Sequence, residues 1–417
     1  MSRPDTQAGH WWQIPLVLGL LGVITVGGGA IASVTENDTP VETAADPTLA
    51  ASVGSLETTA APDGAAPATT APSTTSTTTT TVPLPPSDQR TLEQLEVIGG
   101  DIAPKSVVHS GDGYFIANNM MYRHTMTLYD RDMNLVATIP DTVDLGQFGF
   151  DYEGEFQGAP VEAAFTSDGA YAYVSNYQMY GPGFGNPGDD SCAKGDWDQS
   201  FLYRVDVAQA EIDQVIQVGA VPKFVAVTPD DTTVLVTNWC SYDLSVIDTD
   251  SGEETRRIDI GRFPRGIAVT QDGSKAYIAV MGSTDIAVVS LDDYSVSWIN
   301  GVGGSPRHVV LSPDDAHLYV TLNRDGRIAK VDTATGQVVA TVATGAAPRS
   351  MTIAEDGRAL YVVNYNDDTV SKVTTADMVE VQEIAVGHHP IGITFDANES
   401  NVWVANYGGS INVLADR

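Results

Sequence analysis

Five positively charged side chains recur at equivalent places in this sequence. Lys105, Lys223, Arg265, Arg307 and Arg349 each directly follow a proline. The pattern is unexpected because the chain carries 54 acidic against 21 basic residues, a formal charge of −33. Guanidinium forks and ammonium groups gathered in one place bind anions or polyhydroxylated molecules through directional, charge-assisted hydrogen bonds. A second set accompanies them: Asn176-Tyr177, Asn238-Trp239, Asn364-Tyr365 and Asn406-Tyr407. Amides add directional donors and acceptors, and aromatic faces pack on sugars or cations. Both sets also have a purely structural reading. An arginine one after the proline shares strand parity with apolar residues three and five after it, so it could enter a cleft between elements and pair with a carboxylate. A strand-end asparagine could close a turn through its own side chain.

The remaining chemistry is sparse. The acidic balance argues against nucleic acid and against anionic lipid heads, since phosphate binding needs a cationic footprint. No nucleophile elbow, phosphate-binding loop or dinucleotide fingerprint occurs, and no cofactor and no catalytic residue is predicted. Two cysteines exclude a disulfide-dense scaffold and a four-cysteine zinc site. Cys192 and Cys240 fall in corresponding loops of neighbouring repeats, which predicts a disulfide in an oxidising compartment. His308, His388 and His389 lack a carboxylate at metal-ligand spacing, so no metal site is predicted. Asp141, Asp144, Asp151, Glu153 and Glu155 offer oxygen ligands, but without a twelve-residue calcium-loop pattern they read as a solvated loop.

The elements that would position these residues form a repeat. Gly-x-x-Pro places its proline at Pro222, Pro264, Pro306, Pro348 and Pro390, 42 residues apart each time, with looser copies at Pro104 and Pro160. Seven anchors predict seven units. Within Pro264 to Pro306, short apolar stretches around Ile267–Val269, Tyr277–Val280, Asp285–Leu291 and Ser295–Ile299 are separated by turn residues such as Asp272-Gly273. Four short strands per unit at a period of ~40–50 residues signal an all-β, seven-bladed propeller. The last unit lacks its outer strand, and Leu92–Ile98 has nothing before it to pair with, so the N-terminal strand is expected to complete the seventh blade. Residues 141–158 and 179–199 are insertions on the face that carries the basic residues. Long loops inside a compact repeat are more often functional than accidental.

The N-terminal quarter differs in composition. Residues 1–13 form a short cytoplasmic segment. Residues 14–34 carry no charge and are long enough to span a bilayer, which takes ~20 residues; the same stretch also reads as a secretory signal cleaved near Ala32. Residues 35–88, rich in Thr, Ala, Pro and Ser, read as a disordered stalk. The propeller occupies 89–417. Either N-terminal reading places the propeller outside the cytoplasm, on a single-pass anchor in the cell membrane or secreted.

The segments Leu318-Tyr319-Val320-Thr321, Val234–Asn238 and Leu360–Asn364, preceded by Gly-x-x-Pro and followed by Val-Asp-Thr-x-Thr-Gly at 331–336, resemble the YVTN family of seven-bladed propeller repeats. The resemblance covers about residues 92–417 and weakens in the first two units. It implies a surface-layer or exported protein, and related propellers include lactonases and electron-transfer subunits. The expectation is therefore a membrane-tethered, extracytoplasmic binding or scaffolding module. Its partner would be a protein, a glycan or a small anionic ligand on the insertion-bearing face. The alternative is a lactonase- or lyase-type enzyme at the channel mouth.

Overall fold

The computed structural model describes residues 84–417. The anchor or signal stretch at 14–34 and the stalk up to residue 83 lie outside the described residues. Within them, seven four-stranded antiparallel sheets follow one another in chain order, with one additional two-stranded ribbon, Thr142–Asp144 with Glu155–Gln157, inside the first insertion. Among the described residues no helix is long and apolar enough to cross a membrane.

The fourth blade shows how sequence becomes sheet. Pro264–Val269, Lys275–Val280, Ile286–Ser290 and Val296–Ile299 pair in order. After the exposed Lys275 the second strand carries no charge because it is covered on both sides, and Ala276 to Val280 are all buried. Ile267, Ile278, Ala287 and Val289 pack against Leu235, Leu244 and Val246 of the preceding blade. Each fully buried Val, Leu or Ile contributes ~1.5–3 kcal/mol, and the same sandwiching repeats between successive blades. The outer strand of this blade is short, four residues, which limits its exposed edge.

The Gly-x-x-Pro signature has a steric explanation. A Cβ on Gly219 would meet Asn238 Cγ at 2.5 Å, one on Gly345 would meet Asn364 Cγ at 2.7 Å, and one on Gly387 would meet Asn406 Nδ2 at 2.6 Å. In these three copies the glycine is required because the strand-end asparagine packs directly on it; in the other two, Gly261 and Gly303 take positive φ, and a Cβ on Gly303 would meet Leu322. The residue before the proline then takes a positive φ, as in Val221, Phe263, Ser305, Ala347 and His389. That left-handed step turns the chain sharply into the first strand.

Closure follows the expected plan. Leu92–Ile98 pairs antiparallel with Ser410–Asp416 and completes the blade formed by Pro390–Asp396 and Asn401–Asn406. A buried polar cluster fastens the joint. Lys372 of the sixth blade is fully buried and donates to Asp416 Oδ1 at 2.5 Å and to the Arg90 carbonyl at 2.6 Å. Tyr361 donates to Asp416 Oδ2 at 2.6 Å, and Arg90 reaches Glu355 at 3.1 Å. The folded unit also begins slightly earlier than residue 89. Ser87 is buried, and its backbone N–H donates to Asp356 at 2.8 Å, so the last residues assigned to the stalk pack on the ring.

Candidate functional site

The first strand of each blade begins at the channel with the proline, and the cation follows immediately. In blades three to six a β-bulge separates these residues from the regular ladder: Pro264 faces Val280, while Ile267 faces Ile278, so Arg265 and Gly266 together oppose one residue. The bulge breaks the parity that would have sent the basic side chain between blades. It aims the cations at the channel instead. In three of the five a hydroxyl of the preceding blade holds the turn in place. Ser175, Thr237 and Thr321 donate to the carbonyls of Lys223, Arg265 and Arg349 at 3.2, 2.8 and 2.9 Å.

The five cations gather within electrostatic reach of one another. Burial, and then the charges of Arg265, Arg307, Lys223 and Arg349, push the Lys105 ammonium well below its ordinary value. Burial lowers Lys223 to about 8, against the opposing pull of Asp190. Burial and the neighbouring arginines likewise disfavour the charge on Arg307, yet a guanidinium does not give up its proton, so the repulsion stays in the structure. Lys105, Lys223, Arg265 and Arg307 are all buried, and Arg349 is half-buried. The valine and isoleucine at Val161 and Ile391 fill the same position in the two remaining blades.

Two carboxylates enter this ring. Glu162, two residues after Pro160, feels Lys105 and Arg265, but burial dominates and pushes its carboxyl up to about 7. Asp190 comes from the second insertion. It accepts from Lys223 Nζ at 2.8 Å and from the Tyr177 hydroxyl at 3.4 Å, and Lys223 holds its carboxyl well below the usual range. Arg307 and Arg349 each keep a buried Nε without a hydrogen-bond partner. The ring therefore holds more positive charge than its own carboxylates neutralise.

Aromatic side chains cover the cations. The Lys223 ammonium lies 4.1 Å from the Tyr177 ring centroid and 5.3 Å from that of Trp239, and the Arg349 guanidinium lies 3.4 Å from that of Tyr365. Tyr177, Asp190, Met120 and Tyr407 line a mouth pocket of about 280 Å³. Burial raises the Tyr407 hydroxyl to about 12, so it stays protonated as a donor. On the far side of the cation layer, a chamber of about 520 Å³ is lined by Glu162, Phe224 and His308 and extends to Asp315 and Glu355. Burial, then Arg265 and Arg307, lower the His308 imidazole to about 3, so it is neutral there.

The asparagines do not join this site. Asn176, Asn238, Asn364 and Asn406 are fully buried inside their blades. Asn238 donates to Asp243 and Ser245 at 2.8 Å each, Asn364 to Ser371 at 2.7 Å and Asn406 to Asn412 at 2.7 Å, while Asn176 accepts the Ala159 N–H at 3.1 Å. They lock the channel ends of the strands and are corrected here from ligand-binding candidates to structural residues. Their neighbours Tyr177 and Tyr407 line the mouth pocket, Tyr365 stacks on His389, and Trp239 lies buried against Phe263 with ring centroids 4.3 Å apart.

Cys192 and Cys240 form the expected disulfide, with Cα atoms 5.7 Å apart. It pins the second insertion over the mouth. Trp239 Nε1 donates to the Asp190 carbonyl at 3.3 Å and Tyr242 to the Cys192 carbonyl at 2.8 Å, so the insertion is held by several anchors. In the first insertion the acidic residues separate. Asp141 is fully buried with neither carboxylate oxygen hydrogen-bonded, although His124 Nδ1 lies 3.6 Å from Oδ2, and burial pushes its carboxyl up to about 8. Asp144 instead caps the short turn at Gly146 at 3.0 Å. No calcium cage forms from them.

Sequence reasoning missed two acidic groups at this face. Asp190 was hidden in an insertion without repeat equivalents. Asp368 lies beside His388 and His389 although twenty or more residues precede them; its position at the sixth-blade turn facing the seventh-blade turn was the available signal.

Comparison with known proteins supports the architecture. A family model, the cytochrome D1 heme domain, matches residues 285–405, less than a third of the chain. No curated protein matches. Among solved structures, hydrazine synthase of Kuenenia stuttgartiensis is similar in fold, with a TM-score of 0.60 and 18% identity over 76% of this chain and 96% of that one. At that identity the likeness concerns the propeller and not the chemistry.

Proposed function

We propose that this protein is a binding module of the YVTN-repeat type whose channel mouth takes a small multivalent anion, such as a polycarboxylate or a sugar acid. One observation carries the reading: five buried or half-buried cations face one another around the channel against two carboxylates, Glu162 and Asp190. Burying like charges without partners is costly, and a bound anion offsets that cost. Tyr177, Tyr365 and Tyr407 supply aromatic faces and hydroxyl donors to orient it. Residues 14–34 serve as the anchor or signal and residues 35–83 as the spacer, presenting the mouth outside the cytoplasm.

The name of the matched family raises a haem group. The residues here do not gather what that group needs in one place. His308, the channel imidazole of the matched stretch, lines the lower chamber together with Glu162, Asp315 and Glu355, whose charges oppose a haem's carboxylates. The enzymatic alternative, a lactonase or lyase at the channel, draws on Glu162, a carboxyl of the chamber beyond the cation layer that is poised at about 7.

Calorimetric titration of the full chain with citrate, gluconate and inorganic phosphate tests the proposal. Charge-assisted hydrogen bonds contribute ~1.5–3 kcal/mol each, so Arg307→Gln with Arg349→Gln should weaken the best anion by about 100-fold. The melting temperature of that double variant should hold or rise, since two repelling charges are removed. Unchanged affinity in the double variant, or a wild-type chain that binds none of the three anions, overturns the reading.

A further inference from the structure

We propose that Asp368, His388 and His389 form a binding site for a divalent transition-metal ion of the zinc or copper class, on the mouth face beside the anion site. The three residues come from two turns of adjacent blades, and one potential ligand atom from each lies within 4.8 Å of the others. The imidazoles of His388 and His389 lie close together, with ring centroids 3.7 Å apart and planes tilted by 37°. The turns that carry them are fixed. Asp368 and His389 both take positive φ, at 58° and 56°, and the His389 backbone N–H donates to Asp368 Oδ1 at 2.7 Å.

Second-sphere contacts already set the donor atoms. His389 Nδ1 lies 3.1 Å from the Tyr365 carbonyl, an acceptor that requires a proton on Nδ1 and leaves the Nε2 lone pair free. The Tyr365 ring stacks on the His389 imidazole at 4.3 Å and holds its plane. His388 Nδ1 lies 2.9 Å from Asp368 Oδ2, the arrangement of a carboxylate and an imidazole that share a cation or a proton. A tetrahedral ion with bonds of ~2.0–2.1 Å places its donors ~3.3 Å apart, so donor atoms now within 4.8 Å of one another must close by up to about 1.5 Å. The exposed His388 side chain has the freedom to make that adjustment. Two imidazoles and a carboxylate, with water completing the sphere, suit zinc or copper better than calcium or magnesium, which take oxygen ligands. Both cysteines are in the disulfide and do not compete for the ion.

The test is titration of the metal-free full chain with zinc chloride, and separately with copper chloride, in a buffer without chelating components. One ion per chain should bind with a dissociation constant of about 10 μM or tighter, and His388→Ala and Asp368→Asn should each weaken it at least tenfold. His10→Ala, far off in sequence, should leave affinity unchanged. His389→Ala should abolish binding; because it also removes the stacking on Tyr365, its melting temperature is measured alongside, and His388→Ala with Asp368→Asn decide the matter if it unfolds. Absence of saturable binding below about 100 μM, or equal affinity in wild type, His388→Ala and Asp368→Asn, overturns the proposal.

Discussion

Two groups of buried cations in one propeller meet opposite fates. Around Asp416, every charge finds an answer: Lys372, Tyr361 and Arg90 converge on one carboxylate, and the Lys372 ammonium also donates to a carbonyl. Around the channel, Lys105, Arg265, Arg307 and Arg349 lean on one another, and two guanidinium nitrogens lack partners. Burial alone does not separate the two groups, because both are nearly solvent-free. What separates them is complementarity. The first is closed chemistry that holds the seam between the sixth and seventh blades. The second is open chemistry, and the stability that the ring forgoes is available to whatever anion completes it.

Removing a partner from the closed cluster should produce the largest effect. Asp416→Ala leaves Lys372 buried and uncompensated, and such losses cost ~3–5 kcal/mol. Urea denaturation of the folded unit should show a loss of unfolding free energy of that size; a loss under about 1 kcal/mol would erase the distinction drawn between the two groups.

Asp141 is the acidic counterpart of the open ring, a buried carboxyl with no hydrogen-bond partner for either oxygen. Its carboxyl rises from an ordinary 3.8 to about 8. The folded state therefore retains a proton that the unfolded state releases between those values, so wild-type stability falls as pH climbs through this window. Since each pKa unit is ~1.4 kcal/mol, Asp141→Asn should stabilise the chain by a few kcal/mol at pH 9 and hardly at all at pH 4. Melting curves at the two pH values decide the point; an equal shift at both would show that the carboxyl titrates normally.

The smallest effect concerns the one ring cation that is already answered. Asp190 neutralises Lys223 with a side chain that is 78% exposed, so it competes with an incoming anion from the solvent side. Asp190→Asn should raise citrate affinity by about three- to tenfold with little change in melting temperature. Weaker citrate binding in that variant would make Asp190 a ligand-orienting group instead of a competitor.

The architecture was readable because the 42-residue spacing repeats a physical unit, and glycine, proline and asparagine each mark one contact within it. The basic positions were equally visible. Their direction was not, since strand parity assigned Arg265 to the interior of the sheet packing and a two-residue bulge reversed that assignment. The asparagines illustrate the converse: their regularity suggested a shared ligand, whereas it reflects a shared fold requirement against Gly219, Gly345 and Gly387. Thr237 and Thr321 carry a signal that sequence reasoning can use in future, because a hydroxyl just before the strand-end residue holds the next blade's cation by its carbonyl. Asp190 and Asp368 act across turns or insertions, where no periodicity announces a partner.

The closing strand has a practical corollary. It enters at Leu92, level with Asp416 and the hairpin turns, and climbs to Ile98 beside Ile411 near the channel mouth. Ser87 rests on Asp356 at that same hairpin side, and Arg417 finishes there too. Both polypeptide termini of the ring thus exit from the underside. A chip, bead or fluorescent reporter joined through either one leaves the cationic opening pointing into free solution, so captured protein should sample dissolved ligands without obstruction.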